Sequence, residues 1–148
     1  MSSISPIDGR YKNNVSELGV YFSEQALMRH RVMVEVKYLL ALVKHKSFQK
    51  TRPLNKKTVR SLESLYVDFA EKDFKQIKKI EEKTNHDVNA VVVFISEKLK
   101  NLDRKDLVPL VHFGLTSEDI NNTAYSLMTR GAVDNTVSYT HLTLPTKA

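Results

Sequence analysis

Apolar residues recur at intervals of three and four along most of the chain, which places their side chains on one face of an α-helix. The longest such run comprises Met28, Val32, Val36, Leu39, Leu40 and Val43. Ser23 precedes this run and is a residue type that commonly caps a helix N-terminus. The pattern therefore predicts a long amphipathic helix in the first third of the chain.

Two shorter apolar stripes follow a basic segment that contains Pro53. The second stripe, preceded by Asn55 as a predicted N-cap, comprises Val59, Leu62, Tyr66 and Phe69. The third stripe comprises Phe74, Ile77 and Ile80. Both keep helical spacing and predict two further amphipathic helices.

The segment "NAVVVFISEKLK" contains conflicting signals. Its run of valines favours a strand. Helical spacing is nevertheless kept by Val88, Val91, Ile95 and Leu99. We therefore predict a helix here and an all-α fold for the chain.

The stretch "VPLVHFGLTSEDINNTAYSL" predicts the start of a last helix at Thr116 or Ser117. Thr116 and Asp119 have the spacing of a capping box, and the apolar residues that follow at helical spacing are Ile120, Ala124, Leu127 and Met128. The N–H groups at a helix start can bind a carboxylate or phosphate. A cap without any ligand is the alternative interpretation.

The end of the chain differs in composition from the rest. The segment "VSYTHLTLPTKA" alternates Thr with apolar residues, which predicts strand or coil. We expect residues 132–148 to be a disordered or non-native tail, and His141 is assigned no role.

Composition is that of an ordinary soluble domain. The chain has 148 residues, of which 41% are hydrophobic and 27% are charged, so one domain is expected. It has no cysteine, which excludes disulfides and cysteine-based metal sites or nucleophiles. Because it also lacks a signal-like start and a run of membrane-spanning length, we expect a cytoplasmic protein without membrane contact.

The net charge of +6 has a local source. A segment without acidic residues contains Lys44, Lys46, Lys50, Arg52, Lys56, Lys57 and Arg60. It could bind a polyanion. A solvated helix end is the favoured interpretation, because Phe48 is the segment's one aromatic residue and no nucleic-acid motif accompanies it.

The first motif, "SPIDGRY", holds turn-forming residues, Pro6, Asp8 and Gly9, before Arg10 and Tyr11. The guanidinium of an arginine offers a fork of donors suited to phosphate. Considered alone, a surface turn is the simpler interpretation.

The second motif, "TNHDVNAV", places His86 and Asp87 at a predicted helix start. Thr84 and Asp87 have capping-box spacing. His86 could exchange a proton with a ligand or be a surface histidine in a cap. Adjacent residues do not face each other on a helix, so a catalytic dyad does not follow.

Together with the third motif, "HFGLTSEDINN", these segments resemble the N-terminal part of the adenylosuccinate lyase family. That family belongs to the fumarase/aspartase superfamily of all-helical lyases. The resemblance covers about residues 4–131 and does not extend into the tail. It implies an N-terminal helical domain at residues 1–112. The central helical bundle would start at residues 113–131, of which this chain holds the first helix.

The resemblance implies a reaction that eliminates fumarate from adenylosuccinate to give AMP. The family also cleaves the related succinyl-carboxamide intermediate of purine biosynthesis. A general base removes a proton from the succinyl carbon and a general acid protonates the leaving nitrogen. The family uses no metal or organic cofactor.

By the same resemblance, Arg10 and Tyr11 match positions that bind the nucleotide phosphate. His112 matches a position that contributes to phosphate binding. These assignments follow from the motifs and concern a small-molecule substrate. Nucleic acid is not an expected partner.

The remaining matches concern the rest of the substrate. Asn85, His86 and Asp87 match a nucleotide- and substrate-binding segment, in which His86 hydrogen-bonds substrate. Thr116 and Ser117 match positions that hold the succinyl carboxylate.

Two family segments are missing from these 148 residues. They are the "THGQ"-type segment with the acid histidine and the "SS-x-MP-x-K-x-N" loop with the base serine. We therefore expect an N-terminal fragment that is inactive alone, from a family of homotetramers with shared sites. A short helical module for nucleotides or polyanions, or another lyase of the superfamily, are the alternatives.

Overall fold

A computed structural model describes Ser5, residues 7–48 and residues 51–143, with side chains through residue 136. All regular structure in these residues is helical, which confirms the all-α prediction. The α-helices are α1 (Gly19–Phe22), α2 (Glu24–Lys44), α3 (Lys56–Val67), α4 (Glu71–Thr84), α5 (Asp87–Asn101) and α6 (Ser117–Thr143). Short 3-10 helices lie at Ser16–Leu18, Lys46–Phe48 and Lys105–Leu110. None of the helices described is both long enough and apolar enough to cross a membrane.

The predicted N-caps of α2 and α3 are confirmed. The Ser23 hydroxyl accepts a hydrogen bond from the Ala26 N–H at 3.1 Å. The Asn55 side-chain oxygen accepts one from the Thr58 N–H at 2.7 Å. Each bond satisfies an amide that has no partner within its own helix, and so it determines where the helix begins.

The core forms around α2, which packs against α3, α4, α5 and α6. The first stripe is buried as predicted, apart from Val43, which is partly buried. In α5 the apolar side chains occupy several faces, because Ala90 and Phe94 are fully buried together with the predicted stripe. This burial between α2 and α4 explains why the valine-rich segment is helical despite its strand propensity.

The capping box predicted for the second motif is wrong. Thr84 is the last residue of α4, and Asn85 follows with a left-handed backbone at φ 49°. His86 is the N-cap of α5, and its Nδ1 accepts a hydrogen bond from the Asn89 N–H at 3.2 Å. Since α4 continues up to Thr84, only two residues remain to reverse the chain.

The strand or coil predicted for the end of the chain is also wrong as far as Thr143, where α6 ends. The buried face of α6 continues past Met128 to Ala132, whereas Leu127 is 37% exposed and lies beside that face. The helix continues because each added residue gains one intrahelical bond, which outweighs weak local propensity. Residues 144–148 lie outside the described residues.

The basic segment contacts acidic residues that are distant in sequence. Arg52 lies 3.3 Å from an Asp103 carboxylate oxygen and 3.6 Å from an Asp106 oxygen. Asp103 and Asp106, which follow α5, therefore neutralise part of the positive charge of the basic segment. Lys50 lies outside the described residues.

Candidate functional site

Three polar side chains on α2, spaced four and three residues apart, face the second and third motifs. They are Arg31, Glu35 and Tyr38, which we call the polar row. Arg31 and Glu35 are buried among the apolar residues of α2, at 5% and 1% exposure. Neither apolar periodicity nor the three motifs pointed to them. The available signal was a pair of charged residues four positions apart within an apolar stripe.

Arg31 connects the second motif to the third. Its Nη2 donates to Asp87 Oδ2 at 2.5 Å, and its Nε donates to Asn121 Oδ1 at 2.9 Å. Partial burial opposes ionisation of Asp87, but the Val88 N–H bond and the Arg31 charge outweigh it and lower the Asp87 pKa. One guanidinium therefore orients the start of α5 relative to the first turns of α6.

Glu35 and Tyr38 bind the segment before α6. Glu35 Oε1 lies 2.5 Å from His112 Nδ1, and the Tyr38 hydroxyl donates to the Phe113 carbonyl at 2.8 Å. Burial raises the pKa of Glu35, and the hydrogen bond with His112 acts against that rise. His112 has a left-handed backbone, with φ 60°, which is uncommon for a residue other than glycine.

The predicted capping box at the start of α6 is present. Thr116 N–H donates to Asp119 Oδ2 at 2.7 Å, and Asp119 N–H donates to Thr116 Oγ1 at 3.3 Å. The hydrogen bonds from the Thr116 amide and hydroxyl lower the pKa of Asp119. Ser117 is the first helical residue, and its hydroxyl takes no part in this box. The helix start therefore carries a capped Thr116 with Ser117 beside it.

His86 lies beside an open depression of about 450 Å³. The depression is lined by Lys78, Glu81, Glu82, Asn85, His86 and Asp87. Because His86 Nδ1 accepts from the Asn89 N–H, a neutral imidazole carries its proton on Nε2. The His86 side chain is 50% exposed, so Nε2–H can donate to a ligand. Asp87 lies 3.6 Å from Nδ1, the nitrogen already used for the cap.

Arg10 and Tyr11 lie apart from this arrangement. The Arg10 guanidinium stacks on the Tyr11 ring at 5.5 Å from its centroid, and Tyr11 is 46% exposed. In the described part of the chain, no hydrogen bond or ion pair joins either residue to His86 or His112. The turn predicted at Asp8 and Gly9 is present. Pro6 lies outside the described residues.

The polar row therefore brings together the residues of two motifs, and the first motif remains separate. Arg31 binds Asp87, and Glu35 binds His112. The half-exposed His86 and the start of α6 are therefore both fixed to α2. The Nε2–H of the half-exposed His86 and the N–H groups at the start of α6 are donors of the kind that bind an anionic ligand.

Comparison with known proteins places this fold in a family. A family model described as lyase matches residues 9–144. An adenylosuccinate lyase from Dictyostelium discoideum is 45% identical over 130 residues, covering 86% of this chain and 28% of the relative. The adenylosuccinate lyases of Legionella pneumophila (strain Corby) and Escherichia coli (strain K12) are 40% and 38% identical over 95% and 93% of this chain.

The match extends further along the chain than the three motifs do, since it reaches residue 144. The chain spans about 30% of the length of the curated relatives that it matches. With a family match over most of its residues and an all-helical fold around α2, this chain belongs to the lyase family, and the relatives it resembles are adenylosuccinate lyases.

Proposed function

We propose that this chain supplies substrate-binding groups of an adenylosuccinate lyase. The enzyme eliminates fumarate from adenylosuccinate to give AMP, and from the succinyl-carboxamide intermediate of purine biosynthesis. The observation that carries this proposal is the position of Arg31. Its guanidinium binds Asp87 and Asn121 at once and so joins two motifs that resemble the substrate-binding segments of that family.

The assigned groups suit the charge distribution of the substrate. Ser117, at the N-terminus of α6, binds the succinyl carboxylate through its hydroxyl and the amides of the helix start. Thr116 joins it when its hydroxyl exchanges the hydrogen bond to Asp119 Oδ2 for one to the ligand. His86 donates Nε2–H to the substrate from the end of α5. His112 binds phosphate, together with Arg10 and Tyr11 of the first motif. Asn85 and Asp87 contribute to binding the nucleotide part of the substrate.

Elimination also requires a base at the succinyl carbon and an acid at the leaving nitrogen. The motifs that would carry these two groups are not among the 148 residues. We therefore assign binding and orientation to this chain, and proton transfer to segments that the longer relatives possess. The active enzyme is proposed to be a cytoplasmic homotetramer in which subunits share each site.

The test is to determine the reading frame beyond the codon for Ala148 and to assay the complete gene product. We expect it to convert adenylosuccinate to AMP and fumarate. His86→Ala should lower kcat/KM by about ten- to a hundredfold, because a hydrogen bond to a charged ligand contributes about 1.5–3 kcal/mol. It should also lower the free energy of unfolding by about 1 kcal/mol, because it removes the N-cap of α5. The exposed histidine His45, which lies at the C-terminal end of α2, supplies the matched control His45→Ala.

Other results would favour other functions. Turnover of a different succinyl substrate, with none of adenylosuccinate, would favour another lyase of the superfamily. A stop codon directly after Ala148, with tight and salt-sensitive binding of RNA, would favour a polyanion-binding module. Arg52 already counts against that module, because Asp103 and Asp106 neutralise part of its charge.

A further inference from the structure

Glu35 is a fully buried carboxylate with one partner. Its side chain has 0% exposure, and Oε1 contacts His112 Nδ1 at 2.5 Å. Its second oxygen, Oε2, has no hydrogen-bond partner among the described residues. A buried ionised group is unfavourable unless it is paired, and an apolar side chain of similar size is often at least as stable in such a place. Packing therefore does not explain a carboxylate at this position, and its contact with His112 does.

The backbone supports the same conclusion. His112 has φ 60°, a conformation that glycine adopts more readily than histidine. The polar row holds this segment at two points, through Glu35 on the ring and Tyr38 on the Phe113 carbonyl. Gly114, two residues further on, also has a left-handed backbone, at φ 71°, and there the residue is a glycine. Strain of this kind is typical of functional side chains.

We propose that Glu35 is a positioning residue, which accepts a hydrogen bond from His112 Nδ1–H and thereby leaves the Nε2 edge of the ring to donate to an anionic ligand. The proposal rests on the proposed function, in which His112 binds the phosphate group of the substrate. Glu35 itself does not touch the ligand. It acts through the orientation and charge of His112.

The chemistry follows from the two ring nitrogens. When Nδ1 is protonated and bound to a carboxylate, Nε2 is the remaining site for a second proton. A phosphate at Nε2 requires N–H there, so the ring must be an imidazolium while the ligand is bound. A carboxylate on the opposite side of the ring stabilises that positive charge, whereas a neutral acceptor in the same place stabilises it less. The His112 side chain is 24% exposed, so part of the ring is accessible to a ligand.

The first experiment measures the proton on His112 directly. Long-range proton–nitrogen NMR spectra of the ¹⁵N-histidine-labelled chain, with His112→Gln to assign the signals, report which ring nitrogen is protonated. We expect His112 Nδ1 to carry a proton in the wild-type chain and to lose that proton in Glu35→Leu. A deprotonated Nδ1 in the wild-type chain would overturn the proposal, and this result does not depend on the folding of any Glu35 variant.

The second experiment separates positioning from packing in the complete gene product. Glu35→Gln keeps the shape and one acceptor oxygen but removes the charge, so we expect a tenfold loss of kcat/KM, mainly in KM, with little change in the unfolding midpoint. Glu35→Asp should recover part of this loss. Glu71→Gln is the matched control, because the Glu71 side chain is 71% exposed and its partner in the described part of the chain is Lys75 of the same helix. A Glu35→Gln enzyme with wild-type KM would overturn the proposal.

His112→Ala distinguishes this proposal from the proposed function. If His112→Ala raises KM and Glu35→Gln has no further effect in that background, Glu35 acts through His112 as proposed. If His112→Ala raises KM and Glu35→Gln alone leaves KM unchanged, the role of Glu35 is refuted and phosphate binding by His112 stands. If His112→Ala leaves KM for adenylosuccinate unchanged, the assignment of His112 fails, and the positioning role fails with it.

Discussion

The ion pair between Arg31 and Asp87 predicts unequal effects of removing either partner. The Arg31 side chain is 6% exposed, whereas the Asp87 side chain is 42% exposed. Arg31→Met leaves a carboxylate that water and the Val88 N–H can still solvate. Asp87→Ala leaves a buried guanidinium whose described partner is Asn121. The second change should therefore be more destabilising than the first.

The magnitudes follow from burial. Removing one partner of a buried pair destabilises a protein by about 3–5 kcal/mol, and a charged hydrogen bond to a hydrated group contributes about 1.5–3 kcal/mol. We expect a loss of about 3 kcal/mol in the free energy of unfolding for Asp87→Ala and about 1.5 kcal/mol for Arg31→Met. In the double variant no unpaired charge remains, so it should lose only slightly more than Arg31→Met.

The assay is urea unfolding of the four proteins of this double-mutant cycle, followed by far-UV circular dichroism. Arg130→Met is the matched control, because Arg130 pairs with Asp134 at 81% and 67% exposure and should change stability by at most about 0.5 kcal/mol. Equal losses for the two single variants, or additive losses in the double variant, would refute the argument from burial.

Three further predictions concern stability. Hydrogen bonds from Arg104 lower the pKa of Asp106 from 3.8 to about 2, so the pair stabilises the fold above pH 4 and this contribution, about 2 kcal/mol, is lost as pH falls toward 2. Asp106→Asn should flatten that part of an acid titration followed by thermal unfolding, and an unchanged slope would contradict it. Phe94→Ala should lower the free energy of unfolding by about 3–5 kcal/mol in urea titrations, since Phe94 is fully buried, and a loss below about 1 kcal/mol would exclude its core role. Thr116→Ala should lose about 1 kcal/mol by the same measurement and Thr116→Ser much less, because the hydroxyl accepts from the Asp119 amide. Equal losses in those two variants would argue against the cap.

The helices and most of their caps could be predicted from the sequence. Apolar spacing identified α2 to α6, and Ser23, Asn55 and Thr116 were correctly assigned as N-caps. These features depend on bonds and contacts between residues three or four positions apart, so a short window of sequence contains the information. The same window was insufficient at Thr84, where α4 extends through the residue predicted to cap α5.

Tertiary structure alone decided how the site is assembled. Arg31 meets Asp87 and Asn121 from 56 and 90 positions away, and Glu35 meets His112 from 77 positions away. Each of these pairs is separated by whole helices, and packing around α2 determines which side chains meet. The sequence identified the motifs through local periodicity and resemblance. The second and third motifs are both fixed to α2 because Arg31 and Glu35 are buried there. A buried charged group requires a hydrogen-bond partner, however far away in sequence that partner lies.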